Sequence, residues 1–344
     1  MNIPSDTQYV SILNRLETEM AITAIKSNFE KSLCEKLNLF KISSPLAIVD
    51  GTGINDDLNG IERPVSFPIK NQNENRAVVV HSLAKWKRWQ IKELDINAGQ
   101  GIITDMQALR PDEDYSPIHS LYVDQWDWEK HITPAERNLH YLKKTVKQIY
   151  AALKQTELLV FKKFPDLVPI LPDDIAFIQS EELLLNYPHL TPKEREQEVA
   201  RLYGAVFLIG IGSKLSNGEP HDGRAPDYDD WSSDTENGFA GINGDILLWN
   251  PVLEQSFEIS SMGVRVDAKT LAQQLKISNT EQRKELLFHK KLLEGKLNES
   301  IGGGIGQSRV CMFLLRKRHI GEVQAGIWPE KVIQYCKENG IILM

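Results

Sequence analysis

The chain is poor in cysteine. Only Cys34, Cys311 and Cys336 occur in 344 residues, an odd count without a C-x-x-C pair, and all three fall in segments that read as helices. That pattern excludes a disulfide framework and a thiolate metal knuckle, and it fits reduced thiols in a cytoplasmic protein. Long apolar runs are also missing. The longest, Ala205 to Ile211, is interrupted by Gly210 and is too short to span a bilayer. Met1 to Asp6 carries no apolar leader stretch, so no membrane partner is expected. Basic blocks are absent as well, and the net charge is −7. Nucleic-acid affinity comes mostly from Lys and Arg neutralising phosphates, so no nucleic-acid partner is expected either. There is no repeat, no low-complexity stretch and no composition shift marking a linker. With 41% apolar and 25% charged residues, residues 1–344 read as one globular domain able to bury a large core.

What is present alternates between two periods. Apolar positions at three- and four-residue spacing (Val10, Leu13, Leu16, Met20, Ile25, Phe29, Leu33) predict one or two helices over 6–37. From 40 to 130 the pattern turns to short strands, including Val78–His81, Gly101–Thr104 and Ser120–Val123. Residues 137–164 read as helix, and Thr191-Pro192-Lys193-Glu194 opens another with a capping box and proline in its first turn. Buried strands are expected at Gly204–Ile211, Asp245–Trp249 and Gln255–Ser261. Asp267 caps further helices that run to Gly295, and a last strand is expected near Val323–Ile327. The sum is an α+β fold on a mostly antiparallel sheet.

Near the C-terminal end, Ile301-Gly302-Gly303-Gly304-Ile305-Gly306-Gln307-Ser308-Arg309 runs straight into an apolar helical segment. Glycines without Cβ atoms allow main chain to approach a flat ligand, and Arg309 falls in the first turn of a helix, beside its positive end. A tight strand–helix junction would use the same glycines. A second element is Arg110-Pro111-Asp112-Glu113, where an arginine closes an apolar stretch and a glutamate follows in a turn. A guanidinium fork suits a phosphate, and an acidic turn can accept from an exocyclic amine. The strand pattern Asp124–Glu129 puts Gln125, Asp127 and Glu129 on one face and Asp124, Trp126 and Trp128 on the other. Three polar groups on one sheet face are costly unless they meet water or a ligand.

R-x-x-E at Arg110–Glu113 and G-x-G-x-x-R at Gly304–Arg309 resemble motifs two and three of class II aminoacyl-tRNA synthetases. Leu39–Leu46, ending at Pro45-Leu46, resembles motif one, the dimer interface of that family. The segments His81–Arg88, Tyr122–Glu129, Arg224–Trp231 and Ser260–Asp267 are similar to the ammonia-dependent asparagine synthetases, stand-alone relatives of those enzymes, and the likeness runs from about Ile25 to Trp328. It implies a class II synthetase-like mixed sheet flanked by helices, with the helix and strand at 6–50 forming a homodimer.

The resemblance also implies the site. Arg110 would meet the α-phosphate of ATP, Glu113 the adenine amine, Arg309 the outer phosphates, with Ser120, Gly304 and Gly306 beside the nucleotide. Asp245 and Glu258, on adjacent strands, would carry Mg²⁺, which takes one or two carboxylates plus phosphate oxygens. Asp56, Ser82, Gln125, Asp127 and Ser261 would hold L-aspartate, and Lys87 and Arg265 its unreacted carboxylate. Asp229, in an acidic loop read as a mobile cover, joins Asp56 and Asp127 as a possible acceptor of the ammonium proton. The implied reaction makes L-asparagine from L-aspartate, ammonia and ATP through a β-aspartyl adenylate, releasing AMP and pyrophosphate. Catalysis would rest on Arg110, Arg309, Asp229 and Asp56. No cysteine is placed as a glutaminase nucleophile, which points to free ammonia as donor. Two alternatives remain. One is an aspartyl- or asparaginyl-tRNA synthetase paralogue, although motif one lies too near the start for a preceding anticodon domain. The other is a catalytically inactive regulatory paralogue.

Overall fold

The computed structural model describes residues 9–56, 58, 62–235 and 238–344. Met1 to Asp6 and residues 6–8 of the expected first helix lie outside the described residues. Helix α1 (Arg15–Leu37) begins where Asn14 and Glu17 form a reciprocal cap, with bonds of 3.0 and 2.9 Å. Asn38 ends it in the left-handed region, an unusual conformation that asparagine tolerates better than most residues, and turns the chain into β1 (Leu39–Lys41). A small sheet follows, built from β2 (Ala47–Val49), β3 (Ser66–Ile69) and β4 (Asn75–Val79) in the order β2-β4-β3.

The large sheet contains β1, β5 (Gly101–Leu109), β6 (Tyr122–His131), β7 (Ala176–Gln179), β8 (Ala205–Ile209), β9 (Asn243–Asn250), β10 (Gln255–Val264) and β11 (Ser300–Gly306). Its order is β1-β5-β6-β11-β10-β9-β8-β7. The two edge pairs, β1/β5 and β7/β8, are parallel, and every interior pair is antiparallel. The remaining helices are α2 (Ala84–Glu93), α3 (Leu139–Lys163), α4 (Ser180–Asn186), α5 (Pro192–Tyr203), α6 (Ala268–Ile277), α7 (Leu287–Leu293), α8 (Gln307–Leu314) and α9 (Glu330–Glu338). This is the expected mostly antiparallel α+β architecture. Among the described residues no helix is long and apolar enough to cross a membrane.

One side of the large sheet is dry. Residues of α1, α3 and α8 share one core with Trp126, Trp128, Met262 and Ile305, and the Phe29 ring lies 4.6 Å from that of Trp126. Alternation along β6 then sends Gln125, Asp127 and Glu129 to the opposite side. Two expectations fail here. Val323–Ile327 forms no strand; a short 3₁₀ turn at Ile320–Glu322 precedes it, and its Gln324 side chain is used to bond Ser120 and Ser308. Residues 84–93, placed in a region of short strands, form α2 instead. The inward face of α2 carries Lys85, Lys87 and Arg88, so an apolar helical period is absent from the sequence.

The glycines of β11 admit polar side chains rather than a flat ligand over most of their length. A Cβ on Gly302 would stand 2.0 Å from Glu129 Oε2, and one on Gly304 would stand 2.3 Å from Gln125 Oε1. Gly303 points to the other side, against Met262. Strand β11 thus gives up its side chains so that β6 can bury its own. Gly302→Ala is therefore expected to break the pair between Glu129 and Arg265, at a cost of roughly 3–5 kcal/mol of unfolding free energy in urea titration. A loss below about 1 kcal/mol would show that the pair has room to move aside.

Candidate active site

A cavity of about 700 Å³ opens over the polar face of the sheet. Its wall brings together Asp56, Ser82, Lys87, Arg110, Glu113, Ser120, Gln125, Asp127, Asp229, Glu258, Ser261, Arg265, Gly304, Gly306 and Arg309. Of the predicted site residues, Asp245 alone stands off that wall, behind Arg224, whose Nη2 donates to Asp245 Oδ1 at 2.6 Å.

At one end, Arg110 directly follows β5 and Arg309 rises from the first turn of α8. Arg110 donates to the His81 carbonyl at 3.3 Å and stands 3.9 Å from Glu113. Arg309 donates to the Glu258 carbonyl at 2.9 Å. Burial pushes the Glu113 carboxyl up, and the positive charges of Arg110 and Arg309 oppose that shift. Ser120 donates to Gln324 Oε1 at 2.6 Å, which ties the floor of this end to the segment after α8.

The other end is densely paired. Arg265 Nη1 donates to Asp229 at 2.5 Å, and its Nη2 donates to Glu129 at 2.8 Å, while Ser300 Oγ donates to Glu129 at 2.7 Å. Lys87 Nζ lies 3.1 Å from Asp127 and donates to the Gly303 carbonyl at 3.0 Å. Both cations expected to await a substrate carboxylate are thus already matched by acids of the protein. Any carboxylate they bind must share them. Burial holds the Lys87 ammonium below the usual lysine range against the pull of Asp127 and Glu129.

Asp229 is not on a mobile cover. Asp230 N–H donates to Val264, Val266 N–H donates to Tyr228, and Gln274 donates to the Asp229 carbonyl, each at 2.9 Å. The segment is an extension of the β10 ladder, and Asp229 is 1% exposed. Asp56 is buried too, but it differs from the other candidate acids. Its Oδ1 accepts from Leu58 N–H at 3.0 Å, and among the described residues no cation forms an ion pair with it. Burial raises its carboxyl, and the nearby Asp227 adds to the rise while Lys85 opposes it.

Asp245 is pushed up to about 6, first by burial and further by Glu258, with Arg224 pulling the other way. Asp245 thus faces a guanidinium on one side, with Arg224 Nη2 at 2.6 Å, and the charge of Glu258 on the other.

Three cavity residues were not legible as site residues. Arg224 belongs to one of the segments that carry the family resemblance, yet only the fold reveals that it bridges Asp245, Ser261 Oγ at 2.5 Å and Asp229 at 3.7 Å. His119 was hidden in a turn; burial lowers it to about 4, with Arg309 and Arg110 acting in the same direction, so it stands neutral beside both arginines. Lys193 had a complete local explanation as a helix-opening residue, but it reaches the cavity next to Glu196 at 3.1 Å.

Comparison with known proteins identifies the family and the fold. The family model described as aspartate–ammonia ligase matches residues 16–340. A protein of Parabacteroides distasonis named aspartate–ammonia ligase is 55% identical over 98% of this chain and 97% of its own. One of Clostridium perfringens with the same name is 54% identical over 99% of this chain and 98% of its own. Among solved structures, asparaginyl-tRNA synthetase from Pyrococcus horikoshii with asparaginyl-adenylate superposes with a TM-score of 0.65 at 14% identity, covering 91% of this chain and 70% of that one. The Entamoeba histolytica asparaginyl-tRNA synthetase, also with asparaginyl-adenylate, gives 0.65 at 13% identity, and the chain spans 90% of its own length and 66% of that synthetase. These two likenesses establish the fold, a class II aminoacyl-tRNA synthetase sheet. The chain belongs to the aspartate–ammonia ligase family.

Proposed function

We propose that this chain joins L-aspartate to ammonia at the expense of ATP, through a β-aspartyl adenylate. The observation that carries the reading is that Arg110 and Arg309 line one end of a cavity, each 3.9 Å from its nearest acid, Glu113 and Glu258 respectively, while the other end is built to share cations with carboxylates. Family membership supports the overall reaction. The role of each residue is our assignment.

Arg110 holds the α-phosphate and Arg309 the outer phosphates, because a guanidinium keeps its charge and binds oxygens in pairs. Glu113 accepts from the adenine amine, with Ser120, Gly304 and Gly306 lining the nucleotide. His119 is neutral and offers a ring nitrogen without adding charge. Gln125, Ser82 and Ser261 orient aspartate, Asp127 meets its α-ammonium, and Lys87 and Arg265 share its α-carboxylate with Asp127, Glu129 and Asp229. Held this way, the β-carboxylate faces the α-phosphorus. Its oxygen attacks in line and pyrophosphate leaves. The rate gain is chiefly positioning plus fixed positive charge at the transferring group.

The second half needs ammonia from ammonium. Asp127 is paired with Lys87, and Asp229 lies between Arg265 and Arg224, so both carboxylates are already engaged by cations of the protein. Asp56 lacks such a partner, and burial raises its proton affinity. We assign it as the acceptor. Ammonia then attacks the activated carbonyl and AMP departs with the carboxyl oxygen it gained.

Mg²⁺ fits Glu258, whose nearest cationic partner is Arg309 at 3.9 Å, and fits Asp245 once Arg224 releases it. Bound there, it would neutralise phosphate charge. The exposed apolar residues Leu16 and Met20 on α1 and Phe40 on β1 suit a homodimer through that face. The free thiols at Cys34, Cys311 and Cys336 suit the cytoplasm. We take residues 1–344 as one catalytic unit.

With aspartate, ATP, Mg²⁺ and ammonium, asparagine and AMP should form one for one. Arg110→Ala and Arg309→Ala should each lower kcat/KM by about 10² or more without a change in melting temperature. Production of ADP, or near-normal turnover in either variant, would refute the geometry. Asp245 offers a second check. Its folded value of about 6 exceeds the ordinary 3.8, so the fold binds more protons than the unfolded chain between these values. This group's contribution to stability is full at low pH and is lost as pH rises through about 6. Its carboxyl ¹³C resonance in the free protein should titrate near 6, and the midpoint should fall in Glu258→Gln and on adding Mg²⁺. An ordinary aspartate midpoint, unmoved by either change, would remove the acid pair from the account.

A further inference from the structure

The dry side of the large sheet carries a second concave surface that the reaction does not use. On α3, His140, Lys143, Lys144 and Lys147 recur at three- and four-residue spacing, so they share one outward face. With Lys36 from the end of α1 and Phe177 from edge strand β7, they line a groove of about 620 Å³. No aspartate or glutamate lines it. Among the described residues, Lys36, Lys143, Lys144 and Lys147 form no ion pair through their ammonium groups. The Phe177 ring is half-buried, packs edge-on against Phe207 at 6.0 Å, and lies 5.5 Å from Lys143 Nζ.

Such a cluster works against folding. Lys143 and Lys147 stand one helical turn apart, an arrangement in which like charges repel, and no acid in the groove offsets them. The chain as a whole is acidic, with a net charge of −7, so concentrated unpaired positive charge here is a local departure. Lysine stems lie along apolar surface while their ammonium groups reach the rim. The result is an apolar floor with one aromatic face and a cationic border. That combination matches a ligand with a flat ring at one end and several negative charges at the other. The volume is near that of the active-site cavity, about 700 Å³, and falls in the range of small-molecule sites.

We propose that this groove binds a nucleoside polyphosphate, with its base against Phe177 and its phosphates among Lys36, Lys143 and Lys147. It is a second nucleotide site, separated from the catalytic cavity by the thickness of the sheet. Lys143 leaves the Phe177 ring to meet phosphate, which opens that face to the base.

The test is calorimetric titration of the full chain with ADP at low salt, with pyrophosphate in parallel. The unmodified protein is expected to take two ADP per chain. Lys143→Glu/Lys147→Glu should weaken one of the two by at least about tenfold, leaving turnover unchanged because neither residue touches the catalytic cavity. Arg110→Ala should weaken the other. Phe177→Leu, which preserves an apolar side chain, should weaken ADP at the second site while leaving pyrophosphate there unaffected. A single ADP per chain, insensitive to the charge reversal, would overturn the proposal. Pyrophosphate binding there as tightly as ADP would overturn the assignment of a base. So would a short RNA that binds through Lys143 and Lys147 where ADP does not.

Discussion

The Arg265 guanidinium, spanning Glu129 on one side and Asp229 on the other, is the contact on which the rest of the active site depends. All three groups are at most 2% exposed, and the arginine is held well above its ordinary range by the two carboxylates despite burial. A buried ion pair adds little net stability over an apolar replacement, but removing one partner strands a charge and is strongly destabilising. Its value here is positional. It locks β6, β10 and the Tyr228–Trp231 segment to one another, and these carry Gln125, Asp127, Ser261 and Asp229. It also dictates sequence elsewhere, since Gly302 must lack a Cβ for Glu129 to reach Arg265.

The cavity is divided electrostatically. Around Lys87, Arg265 and Arg224 the protein supplies Asp127, Glu129, Asp229 and Asp245, so the cations are shared rather than free. A substrate bearing both an ammonium and carboxylates can exchange partners within that network without leaving a buried charge unmatched. Around Arg110 and Arg309 the balance is different. Glu113 and Glu258 lie 3.9 Å away, too far for strong pairing, so positive charge remains available to a triphosphate. Two regions with different charge balance, in one cavity, suit a substrate that is held at one end and activated at the other.

Much of this was legible before any coordinates. Alternation along Asp124–Glu129 separated the tryptophans from the polar face, and the structure keeps that division. The arginine motifs at 110 and 309 are readable through their resemblance to motifs two and three of the class II synthetases, since a tight strand–helix junction would use the same glycines. The failures share a cause. Helix α2 is hidden in the sequence because its inward face is Lys85, Lys87 and Arg88, so its burial is not written as hydrophobic periodicity. Arg224 meets Asp245 and Ser261 on strands distant in sequence, and His119 feels the charge of Arg309, so neither role is written in the local sequence. Lys193 already had a sufficient local role. The expected Val323–Ile327 strand had the right residue types but no ladder partner. Local sequence reports faces and caps well, and it reports long-range charge pairing poorly.

The central claim is that the β-carboxylate of aspartate is joined to the innermost phosphorus of ATP. Turnover with aspartate carrying ¹⁸O only in its β-carboxylate, followed by mass spectrometry of the released nucleotide, addresses that bond directly. The account predicts AMP carrying one ¹⁸O per asparagine formed, and unlabelled AMP when the label is placed in the α-carboxylate instead. Unlabelled AMP from β-labelled aspartate, or label recovered in inorganic phosphate, would contradict it.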